Sequence, residues 1–171
     1  MAKQYSAPPP MTIDPKKTYT ATIETTAGTI KVELDPKNAP QHVNSFVFLS
    51  REGFYNGAIF YRVIPGFMIQ GGDPSNTGIG GSGYTLKAEF NETHHGPGIL
   101  SAPRQTNDIN SASSQFFIMH GDGPHLDHLY TAYGHVTSGM DVVEKIATVP
   151  RDRNDRPNDP PSVKSITIEE K

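Results

Sequence analysis

Residues 19–24 and 29–34 alternate apolar and polar side chains on either side of Ala27-Gly28. That is the period of two half-buried strands joined by a turn, and it predicts a β-hairpin. Asn38-Ala39-Pro40 then offers a cap and a proline suited to a first helical turn, and Val43, Phe46, Val47 and Leu49 recur near the helical period before Gly53 supplies a stop. A helix of about three turns follows from this spacing. From residue 54 to 90 short apolar runs sit between glycine-rich stretches, with 84–90 patterned as a strand, and residues 99–120 hold a second set around a polar loop at 106–113. Ser138 to Asp141 matches a capping box, and Met140, Val143 and Ile146 continue at intervals of three, which predicts a second helix. A charged, proline-bearing loop at 151–161 leads into a last strand over 163–169, where Ile166 and Ile168 alternate with polar neighbours. Many short strands with only two helices argue for a closed barrel or a sandwich, because closure removes sheet edges that would pair with other chains.

Composition narrows the function classes. The chain of 171 residues is 35% hydrophobic, enough for one domain with its own core. A formal net charge of -3, with both signs interspersed, lacks the basic footprint that nucleic acid or an anionic membrane requires, so neither is expected as a partner. With no cysteine there is no disulfide, thiol nucleophile or thiolate metal site, which fits a cytoplasmic protein. Residues 1–17 carry Pro8-Pro9-Pro10 and no apolar run of signal-peptide or membrane-span length; they are expected to form a flexible, loosely draped arm ahead of a domain spanning 18–171.

Two segments concentrate candidate chemistry. In Phe60-Tyr61-Arg62-Val63-Ile64-Pro65-Gly66-Phe67-Met68-Ile69-Gln70-Gly71-Gly72-Asp73 one arginine stands among apolar residues. A strand arginine snorkelling to the surface is the plain explanation. Against it, Gln70 and Asp73 add polar groups, paired glycines admit a close backbone, and Phe67-Met68 offer an adaptable apolar surface, a combination suited to a polar amide flanked by a ring. In Ser114-Gln115-Phe116-Phe117-Ile118-Met119, alternation places Gln115, Phe117 and Met119 on one face and Phe116 and Ile118 on the other. An ordinary barrel strand would show the same pattern. Gly78 to Gly83 matches G-x-G-x-x-G, but a strand pattern follows where a phosphate-binding helix would be needed. His120, Asp122, His125, Asp127 and His128 have metal-ligand chemistry without a metal-site spacing, and no G-x-S-x-G elbow supports hydrolysis.

Together the first string, Ser114 to Ile118 and His125-Leu126-Asp127-His128-Leu129-Tyr130-Thr131-Ala132-Tyr133-Gly134-His135-Val136 resemble the cyclophilin family of prolyl isomerases, over about residues 20–169. The resemblance implies a mainly β fold, a closed eight-stranded antiparallel barrel capped by two helices. It implies rotation about Xaa-Pro peptide bonds of proline-containing polypeptides, in support of protein folding, by a monomer needing no metal or cofactor. By motif, Arg62, Phe67 and Gln70 correspond to the catalytic group, and Met68, Gly78, Ala102, Pro103, Arg104, Gln115, Phe117, His125, Leu126 and Tyr130 to the substrate groove. Several positions depart from the commonest pattern. His125 stands where many members have tryptophan, which implies weaker binding of the family's inhibitor cyclosporin. Tyr130 replaces a frequent histidine and resembles bacterial members, and Pro103 lacks a backbone donor. The rival functions are a module of the same fold that grips proline segments without turnover, and a metal-dependent hydrolase using the 120–128 cluster.

Overall fold

The computed structural model describes residues 3–171. β1 (Tyr19–Thr25) and β2 (Gly28–Leu34) form the expected hairpin. Its turn is a packing device as well as a link, since Gly28 has φ +135° and a Cβ there would lie 2.8 Å from a Val142 methyl. Only glycine lets the second helix come so close.

α1 (Pro40–Arg51) buries Val43, Phe46, Val47 and Leu49, the residues whose spacing predicted it. Its start, however, is not capped by Asn38, whose side chain bonds Asp35 instead. The carboxylate of Glu89, far along the chain, accepts from the backbone N–H groups of Gln41 and His42 at 3.1 and 2.9 Å and bonds His42 Nδ1 at 2.6 Å. Burial alone would raise the Glu89 carboxyl, but these donors outweigh it and hold the group below the usual carboxylate range.

The sheet continues with β3 (Arg62–Ile64), β4 (Met68–Gly71), β5 (Ile99–Ala102), β6 (Phe116–Met119), β7 (Thr131–Ser138) and β8 (Val163–Glu170). α2 (Met140–Ala147) lies between the last two, and a 3-10 turn, Pro124–Leu126, precedes β7. The predicted capping box does not form at α2. Ser138 is the last residue of β7, held in register with Lys31, and Gly139 at φ +103° makes the entry into the helix.

All eight strands are antiparallel neighbours in the order β3-β4-β6-β5-β7-β2-β1-β8. The expected closed barrel is corrected to an open, strongly curled half-barrel whose edges stand 14 Å apart. Closure fails for local reasons. β3 is three residues long, and the chain leading to β8 carries Pro157, Pro160 and Pro161, which cannot donate to a ladder. The gap is spanned by loop contacts: Val63 N–H to Asp155 O, Phe60 N–H to Pro161 O and an isolated bridge between Ile59 and Ser162. The strand expected at 84–90 is likewise absent, reduced to one bridge between Leu86 and Ala112, because the neighbouring 103–113 segment is a loop.

Inside the curl, Phe46 meets Phe116 edge-on at 5.7 Å and Tyr55 at 5.3 Å, and Tyr19, Phe60, Leu100 and Ile118 are fully buried around them. Alternation along β6 is as predicted. Phe116 and Ile118 belong to this main core, while Phe117 and Met119 join Met68 and Leu126 in a second, smaller apolar cluster on the outer face.

Candidate functional site

The second cluster is the floor of a cleft of about 170 Å³ lined by Arg62, Phe67, Met68, Gln70, Pro103, Arg104, Phe117, Leu126 and Tyr130. β3, β4 and β6 build it through their register: Arg62 faces Gln70, Gln70 faces Phe117, and Met68 faces Met119. Met68, Phe117 and Leu126 are almost completely buried, leaving a firm apolar surface of ring-sized dimensions. The Arg62 side chain is exposed at the mouth. Among the described residues its guanidinium has no protein acceptor, so its donors are free for a ligand.

Gln70 is oriented from behind. Its Nε2 donates to the Tyr61 hydroxyl at 2.6 Å, that hydroxyl donates to Gln115 Oε1 at 2.5 Å, and Gln115 Nε2 donates to Gly78 O and Gly80 O at 3.1 and 2.9 Å. With its amide N–H spent inward, Gln70 presents its carbonyl oxygen as the free acceptor. Burial pushes the Tyr61 hydroxyl up to about 12, so it stays protonated and the relay keeps its direction at neutral pH.

Beside this cleft lies a second, larger one of about 520 Å³, sharing Gln70, Pro103 and Arg104 and continuing over Gly78 to Gly81, Tyr84, Ser111, Ser113 and Gln115. Its rim is shaped by Asp73, fully buried, whose carboxylate accepts from the backbone N–H groups of Ser75, Thr77, Gly78 and Gly80 and from the Ser75 hydroxyl. Burial acts to raise Asp73, but the Ser75, Gly80 and Gly78 donors prevail and leave it below the usual range. Arg104 crosses the outer wall, with Nε donating to Leu129 O at 3.0 Å and its guanidinium 4.9 Å from the centre of the Tyr130 ring.

Of the residues selected from sequence, nine line the smaller cleft, and Gly78 and Gln115 line the larger one. Ala102 is buried at the end of β5, paired with Thr131, and lies behind the wall. His125 is exposed and tilts its ring against Phe67 at 5.5 Å, on the edge of the cleft. Sequence reasoning missed Tyr61, whose hydroxyl carries no signal in the apolar run around Phe60. It also passed over Asp73 as a rim-builder, although an aspartate before a Ser/Gly-rich turn is a sign of backbone capping.

Among the described residues, the five of metal-ligand type at 120–128 do not gather into one cluster, although Asp122 and Asp127 share His94 as a partner. His120 Nδ1 accepts from Gly66 N–H, Asp122 and Asp127 both meet His94 at 2.6 and 2.5 Å, and His128 approaches Glu92. Asp127 also bonds His95 Nδ1 at 3.1 Å, and His95 Nε2 lies 2.9 Å from Ser101 Oγ. The order Asp–His–Ser resembles a hydrolytic triad, yet Ser101 is fully buried and its Oγ also lies 2.9 Å from Thr131 O. The trio is a support under the cleft floor, where His95 stacks on Phe117 at 6.2 Å, and burial pushes its imidazole below the usual value.

The family described as cyclophilin type peptidyl-prolyl cis-trans isomerase/CLD matches residues 20–168. The chain is 47% identical over 134 residues to a peptidyl-prolyl cis-trans isomerase of Helicobacter pylori, covering 76% of this chain and 81% of that protein. It is 41% identical to peptidyl-prolyl cis-trans isomerase A of Mycobacterium tuberculosis, over 92% and 96% of the two. It is also 42% identical to a peptidyl-prolyl cis-trans isomerase-like 2 of the fungus Gibberella zeae, of which it spans only 27%, and it spans 29% of the same-named Rhizopus delemar protein. A cyclophilin of the protozoan Cryptosporidium parvum superposes with a TM-score of 0.85 at 32% identity, covering 89% of this chain and 98% of that one. The same protein in the presence of the dipeptide ala-pro gives 0.84 at 34% identity over 88% and 98%. The likeness therefore extends across bacteria, fungi and protozoa and is not confined to the bacterial members that Tyr130 resembles.

Proposed function

Because the chain belongs to the cyclophilin-type peptidyl-prolyl cis-trans isomerase family, we propose that it catalyses rotation about Xaa-Pro bonds of polypeptides and so assists their folding. The observation that carries this reading is the free Arg62 guanidinium at the mouth of an apolar cleft, in register with Gln70. The reaction breaks no bond and has only to lower a barrier of about 18–20 kcal/mol. At the twisted transition state amide resonance is lost and the prolyl nitrogen becomes an acceptor. A guanidinium donating to it favours that state over both planar ones. Met68, Phe117 and Leu126 hold the ring, while the Gln70 carbonyl accepts from the substrate main chain, so that rotation falls on one bond. A Cryptosporidium parvum relative solved with the dipeptide ala-pro supports this assignment.

Arg62→Ala is expected to lower kcat/KM on a short Xaa-Pro peptide at least about 100-fold, roughly 2.7 kcal/mol, at an unchanged melting temperature. Full activity in the variant would remove Arg62 from the mechanism, and a wild-type chain without turnover would leave only the binding module.

His125 offers a small, hydrated ring where an apolar ligand edge would rest, which supports weak cyclosporin binding; His125→Trp should tighten it about tenfold, as titration would read. Absence of cysteine supports a reducing compartment such as the cytoplasm. The dispersal of the exposed Met11, Ile79, Phe90, Ile109 and Leu129 over separate segments supports a monomer, checked by sedimentation.

A further inference from the structure

Residues 3–13, which precede the region shared with the family, are tied to the glycine-rich rim of the larger cleft. Tyr5 N–H donates to Ser82 O at 2.8 Å and the Gln4 amide donates to Gly81 O at 2.8 Å. Gly83, at φ +102°, has no room for a side chain because the Tyr5 carbonyl oxygen occupies the place of its Cβ. The Tyr5 ring is anchored edge-on to Phe48 at 5.1 Å and near Phe54 at 6.4 Å, so the segment is fastened to α1 while its backbone presses on the rim. Further along, α1 devotes a buried amide to the same segment. Asn44, 1% exposed, accepts from Thr12 N–H at 3.0 Å and donates to Pro10 O at 3.1 Å.

The rim is clamped from the opposite side as well. Ser82 N–H donates to Ser113 Oγ at 3.0 Å, and a Cβ on Gly81 would strike that serine. Residues 81–83 thus sit between the leading segment and the 103–113 loop. The adjoining Gly80 carbonyl receives Gln115 Nε2, from which the relay runs through Tyr61 to Gln70.

We propose that the leading segment is a strap for the substrate cleft, with Gln4 and Tyr5 acting as positioning residues that hold the Gly78–Gly81 rim where residues flanking the proline bind. A loosened rim raises the entropy lost when an extended chain docks, and it leaves the Arg62 chemistry untouched. The inference rests on the cleft assignment above, and its test separates the two.

In the full chain, the double substitution Gln4→Ala/Tyr5→Ala should raise KM at least about threefold for a peptide extended by several residues on both sides of proline, with kcat unchanged. A four-residue Xaa-Pro peptide should show neither change. Deuterium exchange should quicken at the Gly78 and Gly80 amides, and the single variant Tyr5→Phe, which keeps the Gln4 amide and the anchoring ring, should retain the wild-type KM. An unaltered KM on the extended peptide, or an equal loss on both peptides, overturns the strap. A wild-type chain inert on both peptides overturns instead the isomerase reading on which it rests.

Discussion

The two clefts meet at Gln70, Pro103 and Arg104 yet are built on different physical principles. The smaller one is made of strand side chains. Its floor follows from register, with each residue aimed by the pleat and fixed by apolar packing. The larger one is made of loops whose shape comes from hydrogen bonds, chiefly those to Asp73 and Gln115. A site can therefore pair a pocket fixed by apolar packing with an adjacent loop surface held in shape by buried polar groups.

The widest separation between the two should come from Phe117→Ala. Phe117 is 4% exposed and packs on Tyr130 and His95, so its loss should cost about 3–5 kcal/mol of stability in denaturant unfolding and abolish proline-ring binding.

Asp73→Asn tests the other construction. Replacing one carboxylate oxygen by an NH₂ group sets donor against the backbone donors of Gly78 and Gly80, and should cost about 1–3 kcal/mol. Its effect on turnover should appear in KM for long peptides. The same variant carries a pH signature. The folded-state pKa of Asp73 lies below its unfolded value, so its contribution is complete above about pH 4 and declines as pH falls further. Melting curves between about pH 5 and 3 should fall less steeply for Asp73→Asn than for wild type; parallel curves would mean that the carboxylate does not hold the rim.

Tyr61→Phe sharpens the comparison most finely, because it cuts the relay between the clefts and leaves both floors intact. The loss should be about 1 kcal/mol of stability with a few-fold change in KM. A drop in kcat/KM as large as that of Arg62→Ala would show that Gln70 orientation limits the chemistry as much as the guanidinium does.

Much of the smaller cleft was legible in the amino-acid sequence. Period-two alternation along residues 114–119 separates Phe116 from Phe117, and the motif around Arg62 places a cation beside Phe67, Met68 and Gln70. That Arg62 opens β3 at the mouth of the cleft was not, because a strand end and a strand middle look alike in sequence. Nor was the role of Tyr61, Asp73 or the leading segment: each acts through groups distant along the chain, and neither alternation nor motif spacing reports such pairs.

By itself the sequence determined the hairpin, the bodies of both helices, the strand faces and the family's motif, since each depends on side-chain periodicity or local backbone preference. Tertiary structure alone decided how helices begin and whether the sheet closes. Glu89 caps α1 and Gly139 starts α2 where nearby side chains were expected to do so, because a helix N-terminus accepts any carboxylate or backbone turn that folding brings to it. The sheet stays open because prolines before β8 and a three-residue β3 leave too few facing donors and acceptors to complete a ladder, a deficit visible only once the two edges are known to face each other.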